Sequence, residues 1–268
     1  MSTVEVAGGS LYYRTQGTGP ALLLMGGGPS NADTLGPLAS QLAEDHTVVS
    51  YDRRGYSRSR LDDPAGPAGI PAHADDARQL IAALGAGPVA VFGTSFGALI
   101  ALELAATAPA AIAALIVHEP PLGQLLAGDD RQPFDLNLDT EKDAGAALNA
   151  IAASVGVSRG RSAGPAGPGS KPADVELFIG RDVPAIADYQ LDLDWLRPLA
   201  DRIIVAGSRG SRGFYPYQCA VQLARHLGPP LAELPGNHAG MIQHPAEFAT
   251  GLRRLLCSLG SARNAATA

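Results

Sequence analysis

The sequence predicts an α/β fold: a mostly parallel central sheet with helices on both faces and a helical cap inserted after the sixth strand. Three observations carry this. Apolar runs of strand length alternate with helical patterns, glycine and proline punctuate them, and the alternation lapses between about residues 121 and 191 before resuming. A chain of 268 residues has ample length for such a core.

TVEV, Gly8-Gly9 and SLYYRT read as an opening hairpin. ALLLM (21–25) is a buried strand, followed by a glycine loop and an amphipathic helix from about Asp33 to Glu44. HTVVSYD (46–52) is the next strand, and RLDDPAGPAGI (60–70) is a Pro/Gly loop leading to a helix over 71–84. PVAVF (88–92) is a short buried strand, SFGALIALELAATA (95–108) a helix beginning at its serine, and AIAALIVHEP a strand ending near His118.

The middle segment holds helical pieces and the low-complexity stretch AGPAGPGSKPAD (163–174), too rich in Gly and Pro to support a packed element. RIIVAGS (202–208), a helix over 216–227, PLAELPG (230–236) and a helix over 245–258 complete the alternation. The expected organisation is a core of 1–120 and 192–260, a cap of 121–191 and a flexible tail of 261–268. The cap emerges at a strand end, where ligands bind in open α/β sheets.

Apolar residues make up 46% of the chain, charged residues 17%, and the net charge is −6, as in a globular protein rather than a disordered one. The basic clusters Arg53/Arg54/Arg58/Arg60 and Arg209/Arg212 are short and lack an aromatic platform, so no nucleic-acid partner is expected. MSTVEVAGGS lacks the basic start and apolar core of a signal peptide, and no run of about 18 apolar residues occurs. The expectation is a cytoplasmic protein with no membrane partner. Cys219 and Cys257 lack metal-ligand spacing and sit in helical patterns, where a small buried residue is expected.

The chemistry centres on VFGTSFGAL (91–99), a strand that runs straight into G-x-S-x-G and a helix. The turn must be so sharp that only small flanking residues fit. It lifts Ser95 above the sheet at a helix N-terminus, where negative charge is favoured. A serine hydroxyl needs a base, and of the six histidines His238, in LPGNHAGM after the last strand, is placed to reach back over the strand ends. His46, His73, His226 and His244 read as strand-start, helix-surface or helix-start residues. His118 closes a strand on the same edge and is a candidate pocket-lining residue.

The base needs a carboxylate. The loop after 202–206 reads GSRGSRGF and holds no acid, so Glu119, in VHEPP, is assigned as the third member; Asp182, Asp188, Asp192 and Asp194 are the substitutes. Oxyanion donors are expected from the N–H of Phe96 and from MGGGPSN (25–31), most plausibly Gly27, with Gly28 beside it at the substrate. A phosphate cradle is the other reading of that loop, but neither G-x-G-x-x-G nor G-K-[ST] is present.

Met25-Gly26-Gly27-Gly28-Pro29, Asp52-Arg53-Arg54-Gly55-Tyr56-Ser57-Arg58-Ser59, the serine elbow and Gly236-Asn237-His238 together resemble the α/β-hydrolase superfamily over nearly the whole chain outside the cap and tail. The second stretch is similar to the family's D-x-R-G-x-G-x-S turn, which mainly shapes a loop. The family often opens its oxyanion loop with His-Gly, where this chain has Met25-Gly26, and usually carries its acid after the penultimate strand. An acid at Glu119 resembles certain thioesterase-like chain-release hydrolases of bacterial polyketide pathways.

The resemblance implies a cofactor-free, metal-free serine hydrolase of a small-molecule ester or acyl thioester, with an acyl carrier protein as a candidate carrier of the substrate. Phe134, Phe178, Tyr189 and Trp195 of the middle segment are candidates to line an acyl pocket. A non-hydrolytic tailoring enzyme (cyclase or isomerase) and a ligand-binding protein are the alternatives on the same fold.

Overall fold

The computed structural model describes residues 2–64, 66, 69–127, 143–157 and 169–266. β1 (Ser2–Val6) and β2 (Gly9–Gln16) form the antiparallel hairpin, turning at Gly8 with φ 81°. β3 (Ala21–Met25), β4 (Thr47–Tyr51), β6 (Val89–Thr94), β7 (Ile112–His118), β8 (Ile203–Ser208) and β9 (Ala232–Leu234) follow, and their mutual pairings are all parallel. The order across the sheet is β1-β2-β4-β3-β6-β7-β8-β9. Part of the expected 60–70 loop is instead β5 (Arg60–Leu61), a short strand pairing with β2, so the insertion follows the seventh strand rather than the sixth.

Successive strand residues alternate between two apolar layers. Leu22, Leu24, Phe92 and Ile116 face α1 (Gly36–Leu42) and α9 (Pro245–Ala266) through Leu38, Leu42, Phe248 and Leu252. Leu23, Met25, Val91 and Leu115 face the other way, in one cluster with α2 (Ile70–Leu84), α3 (Phe96–Thr107) and α7 (Tyr215–Leu227). Both faces are covered, which is why these strands are apolar throughout rather than alternating with polar residues.

Between β7 and β8 the described residues form α4 (Ala144–Ser154), α5 (Pro172–Leu177), a π-helical turn (Phe178–Asp182), α6 (Val183–Asp188) and a 3₁₀ stretch (Leu193–Arg202). Leu148, Ile151, Val175, Phe178, Ile179 and Val183 join the α2/α3 cluster, so this segment packs on that side of the sheet. The first part of the 163–174 stretch lies outside the described residues, and its end, Pro172 onward, begins α5. The tail, expected to be flexible from 261, is helical to Ala266, because nothing in GSARNAA breaks a helix as proline would. A four-residue helix, α8 (Gly240–Gln243), lies between β9 and α9.

Candidate active site

Ser95 stands between β6 and α3 with φ 54° and ψ −122°, a conformation that costs a non-glycine residue about 1–3 kcal/mol. The flanking glycines make the turn possible. A Cβ on Gly93 would lie 2.5 Å from the Gly97 carbonyl oxygen, and one on Gly97 would lie 2.2 Å from that of Met25. The turn is tied to the sheet by the Ser95 N–H, which donates to the His118 carbonyl at 2.9 Å.

The glycine loop after β3 closes over the serine. A Cβ on Gly27 would lie 2.6 Å from Ser95 Cβ and 3.3 Å from its Oγ, so the Gly27 backbone approaches the hydroxyl as only a glycine permits. Phe96, fully buried, begins α3, and its N–H is among the first-turn donors left without an intrahelical acceptor.

His238 follows β9, and its Nδ1 lies 2.5 Å from Glu119 Oε2. A carboxylate can only accept, so Nδ1 carries the proton and Nε2 is left as the basic nitrogen. Glu119 begins the chain after β7 with φ 47°, and its N–H donates to the Ala206 carbonyl at 3.0 Å. Its other oxygen accepts from the Ser208 N–H at 2.7 Å. Glu119 is fully buried; burial opposes its charge, and the His118 imidazole, the His238 hydrogen bond and the Ser208 N–H overcome that, holding the carboxyl at about 2.

His118, expected near the pocket, is instead completely buried behind the carboxylate. Its Nδ1 lies 2.9 Å from Thr94 Oγ1, its Nε2 2.9 Å from Ser208 Oγ, and its ring 6.1 Å from that of His238. Burial pushes it down to about 4, the charge of Glu119 opposing. It is therefore neutral at pH 7, and the two hydrogen bonds to Glu119 are what keep that carboxylate ionised there.

Both shifts weaken the fold in acid. Histidine and glutamate titrate near 6.5 and 4.5 when unperturbed, against about 4 and about 2 for His118 and Glu119. The unfolded chain thus binds more protons in each window, and stability falls as pH drops through them. Thermal melts are expected to show Tm falling between pH 6.5 and 4 and again below 4.5, with His118→Gln losing the upper part of the slope.

None of the middle-segment aspartates offered as substitutes for Glu119 is the partner of His238. Asp188, Asp192 and Asp194 are exposed, and Asp182 is buried against Tyr56, whose hydroxyl donates to it at 2.5 Å. His73, read as a helix-surface residue, is also buried there, with Nε2 3.4 Å from Asp182 Oδ1 and its ring edge-on to Phe96 at 5.4 Å. The polar run around it on α2 resembles a solvated face, but the middle segment covers it.

Of the expected pocket residues, Phe178 packs against Phe96 at 6.3 Å, the Tyr189 hydroxyl donates to Glu103 at 2.7 Å, and Trp195 is 56% exposed. Phe134 lies outside the described residues. Cys219 is buried as expected, its thiol pushed up to about 12 by burial, whereas Cys257 is exposed on α9. Among the described residues no group of three or more His, Cys, Asp or Glu could hold a metal ion, and no helix is long and apolar enough to cross a membrane.

Residues 20–155 match the family described as alpha/beta hydrolase fold. The chain is 33% identical over 266 residues to the uncharacterized hydrolase YraK of Bacillus subtilis (strain 168), covering 95% of each. It is similar in structure to a thermophilic esterase from Thermogutta terrifontis, with a TM-score of 0.76 at 18% identity over 97% of this chain and 99% of that one. It is also similar to the N-acyl homoserine lactonase AidH, with a TM-score of 0.66 at 19% identity over 96% of both chains.

Proposed function

The chain belongs to the alpha/beta hydrolase fold family and is a hydrolase of that fold; we propose that it is a serine hydrolase cleaving a carboxylic ester or thioester through an acyl-enzyme. The observation that carries this is the Ser95 elbow, with Gly27 closed over it and a base, His238, bonded to a buried carboxylate at 2.5 Å on the neighbouring strand ends.

The Ser95 hydroxyl attacks the acyl carbon while His238 Nε2 takes its proton. The carbonyl oxygen becomes an oxyanion, held by the N–H groups of Phe96 and Gly27. Collapse of the tetrahedral adduct breaks the bond to the alcohol or thiol, which leaves with the proton from His238. Water, giving a proton to His238, then attacks the acyl-enzyme, and the second collapse returns that proton to Ser95 Oγ and frees the carboxylic acid. Glu119 fixes the His238 tautomer and stabilises the imidazolium formed in each half-reaction. The insertion between β7 and β8 is read as a cap, and its presence is what favours a medium or large apolar acyl group.

The test is intact-mass analysis after a fluorophosphonate probe, with turnover on acetyl-to-dodecanoyl esters, acyl thioesters free and on an acyl carrier protein, and lactones like that of the lactonase neighbour. One adduct on wild type and none on Ser95→Ala, with turnover lost together, is the expected result. No adduct on wild type would sink the reading and leave ligand binding. Turnover that survives Ser95→Ala would remove the acyl-enzyme on Ser95, and a preference for acetyl would remove the apolar acyl assignment.

A further inference from the structure

The D-x-R-G-x-G-x-S-like turn was read from sequence as a loop former, yet one of its side chains leaves the turn and grips the glycine loop. Arg53, only 3% exposed, donates from one terminal nitrogen to the Gly26 carbonyl at 3.0 Å and from the other to the Gly28 carbonyl at 2.6 Å. The carbonyl between them, that of Gly27, accepts from the Ser30 N–H at 3.2 Å. The guanidinium lies over the rings of Tyr56 and Phe96, 4.3 and 4.9 Å from their centroids, and 3.6 Å from Asp182 of the cap.

We propose that Arg53 is a positioning residue for the oxyanion hole, aiming the Gly27 N–H by holding the carbonyl of the same peptide. The peptide plane is rigid and trans, so the Gly26 C=O and the Gly27 N–H point in opposite directions. A cation fastened to that oxygen therefore sets the direction of the N–H. It also draws electron density toward the carbonyl and makes the N–H a stronger donor. Donation to Gly28 stops the plane from rotating about the loop, a two-point hold that needs the fork of arginine and that one ammonium cannot reproduce. Asp182, which also accepts from Tyr56, balances the buried charge and ties this grip to the cap.

This inference rests on the serine-hydrolase reading above, in which Gly27 supplies an oxyanion donor. Its test compares wild type with Arg53→Lys and Arg53→Met on the best ester of the panel. An alkyl boronic acid is added as a tetrahedral mimic on Ser95, and the ether analogue of that ester, which has no carbonyl oxygen, as a ground-state ligand. Expected is a fall in kcat of about 10-fold for Arg53→Lys and about 100-fold for Arg53→Met, with KM within about threefold. Boronate affinity should fall in step with kcat/KM, ether affinity should hold, and the pH dependence of kcat should not move, because the His238–Glu119 pair is untouched.

A merely structural role would lower Tm without separating the two inhibitors. Unchanged boronate affinity in both variants, or a rise in KM alone, overturns the proposal. Should Arg53→Met fail to fold, the same comparison on Arg53→Lys decides. Fluorophosphonate labelling of Ser95 separates the two failures: no adduct on wild type fells the hydrolase reading, while a labelled wild type with indifferent Arg53 variants fells only this inference.

Discussion

Glu119→Gln is expected to lower kcat by about 10⁴-fold while Ser95 and His238 keep their positions. The amide has nearly the volume of the carboxylate and can still meet both the Ser208 N–H and His238 Nδ1, which approach its two oxygens at 2.7 and 2.5 Å. The cost is in the proton. An amide turned to accept from Ser208 presents its NH₂ to His238, which favours the tautomer protonated at Nε2, the wrong one for a base. The imidazolium of each half-reaction then has no buried counter-charge. Steady-state kinetics of the purified variant, with a melt showing it folded, make the check; activity within tenfold of wild type would return the acid to another residue. Glu119→Asp keeps the charge but shortens the reach, and is expected to be milder than the glutamine.

Gly27→Ala is expected to cost about 10²–10³-fold in kcat, the loss of one oxyanion donor, and about 1–3 kcal/mol of stability from the forced contacts. The added methyl would sit 2.6 Å from Ser95 Cβ and 2.9 Å from the Thr94 carbonyl oxygen, and neither can be tolerated. The elbow cannot give way, since the Ser95 N–H is bound to the His118 carbonyl and the elbow's glycines are already in close contact. The glycine loop must lift instead, taking its N–H from the oxyanion and opening the site to water. Fluorophosphonate labelling of the variant should slow in proportion to kcat. A variant as active as wild type would show that Gly27 is no donor.

The strands of the core and the elbow were readable in the chain, because each is written locally in a run of apolar residues or a glycine spacing. Sequence offers Glu119 only by elimination, from the absence of acid in GSRGSRGF, and its bond to His238 is a long-range pairing that no local pattern writes. What sequence could not reveal is what long-range packing decides. His73 sits in a polar helical run and is buried only because Phe96 and Asp182 meet it from distant parts of the chain. His118 looked like a pocket residue because strand ends border the site, yet the hydroxyls of Thr94 and Ser208 close it in. Arg53 was hidden inside a motif whose pattern leaves its position open, so nothing marked it until its contacts with Gly26 and Gly28 were seen.

The pairing of β7 with β8 has a consequence for where a carboxylate can stand. Glu119 is bonded through its backbone to Ala206 and through its side chain to Ser208, so the ends of the two strands address one point in space. A carboxylate borne on either strand starts from nearly the same place. The place of such a carboxylate is set by the meeting of two strand ends rather than by one position in the chain.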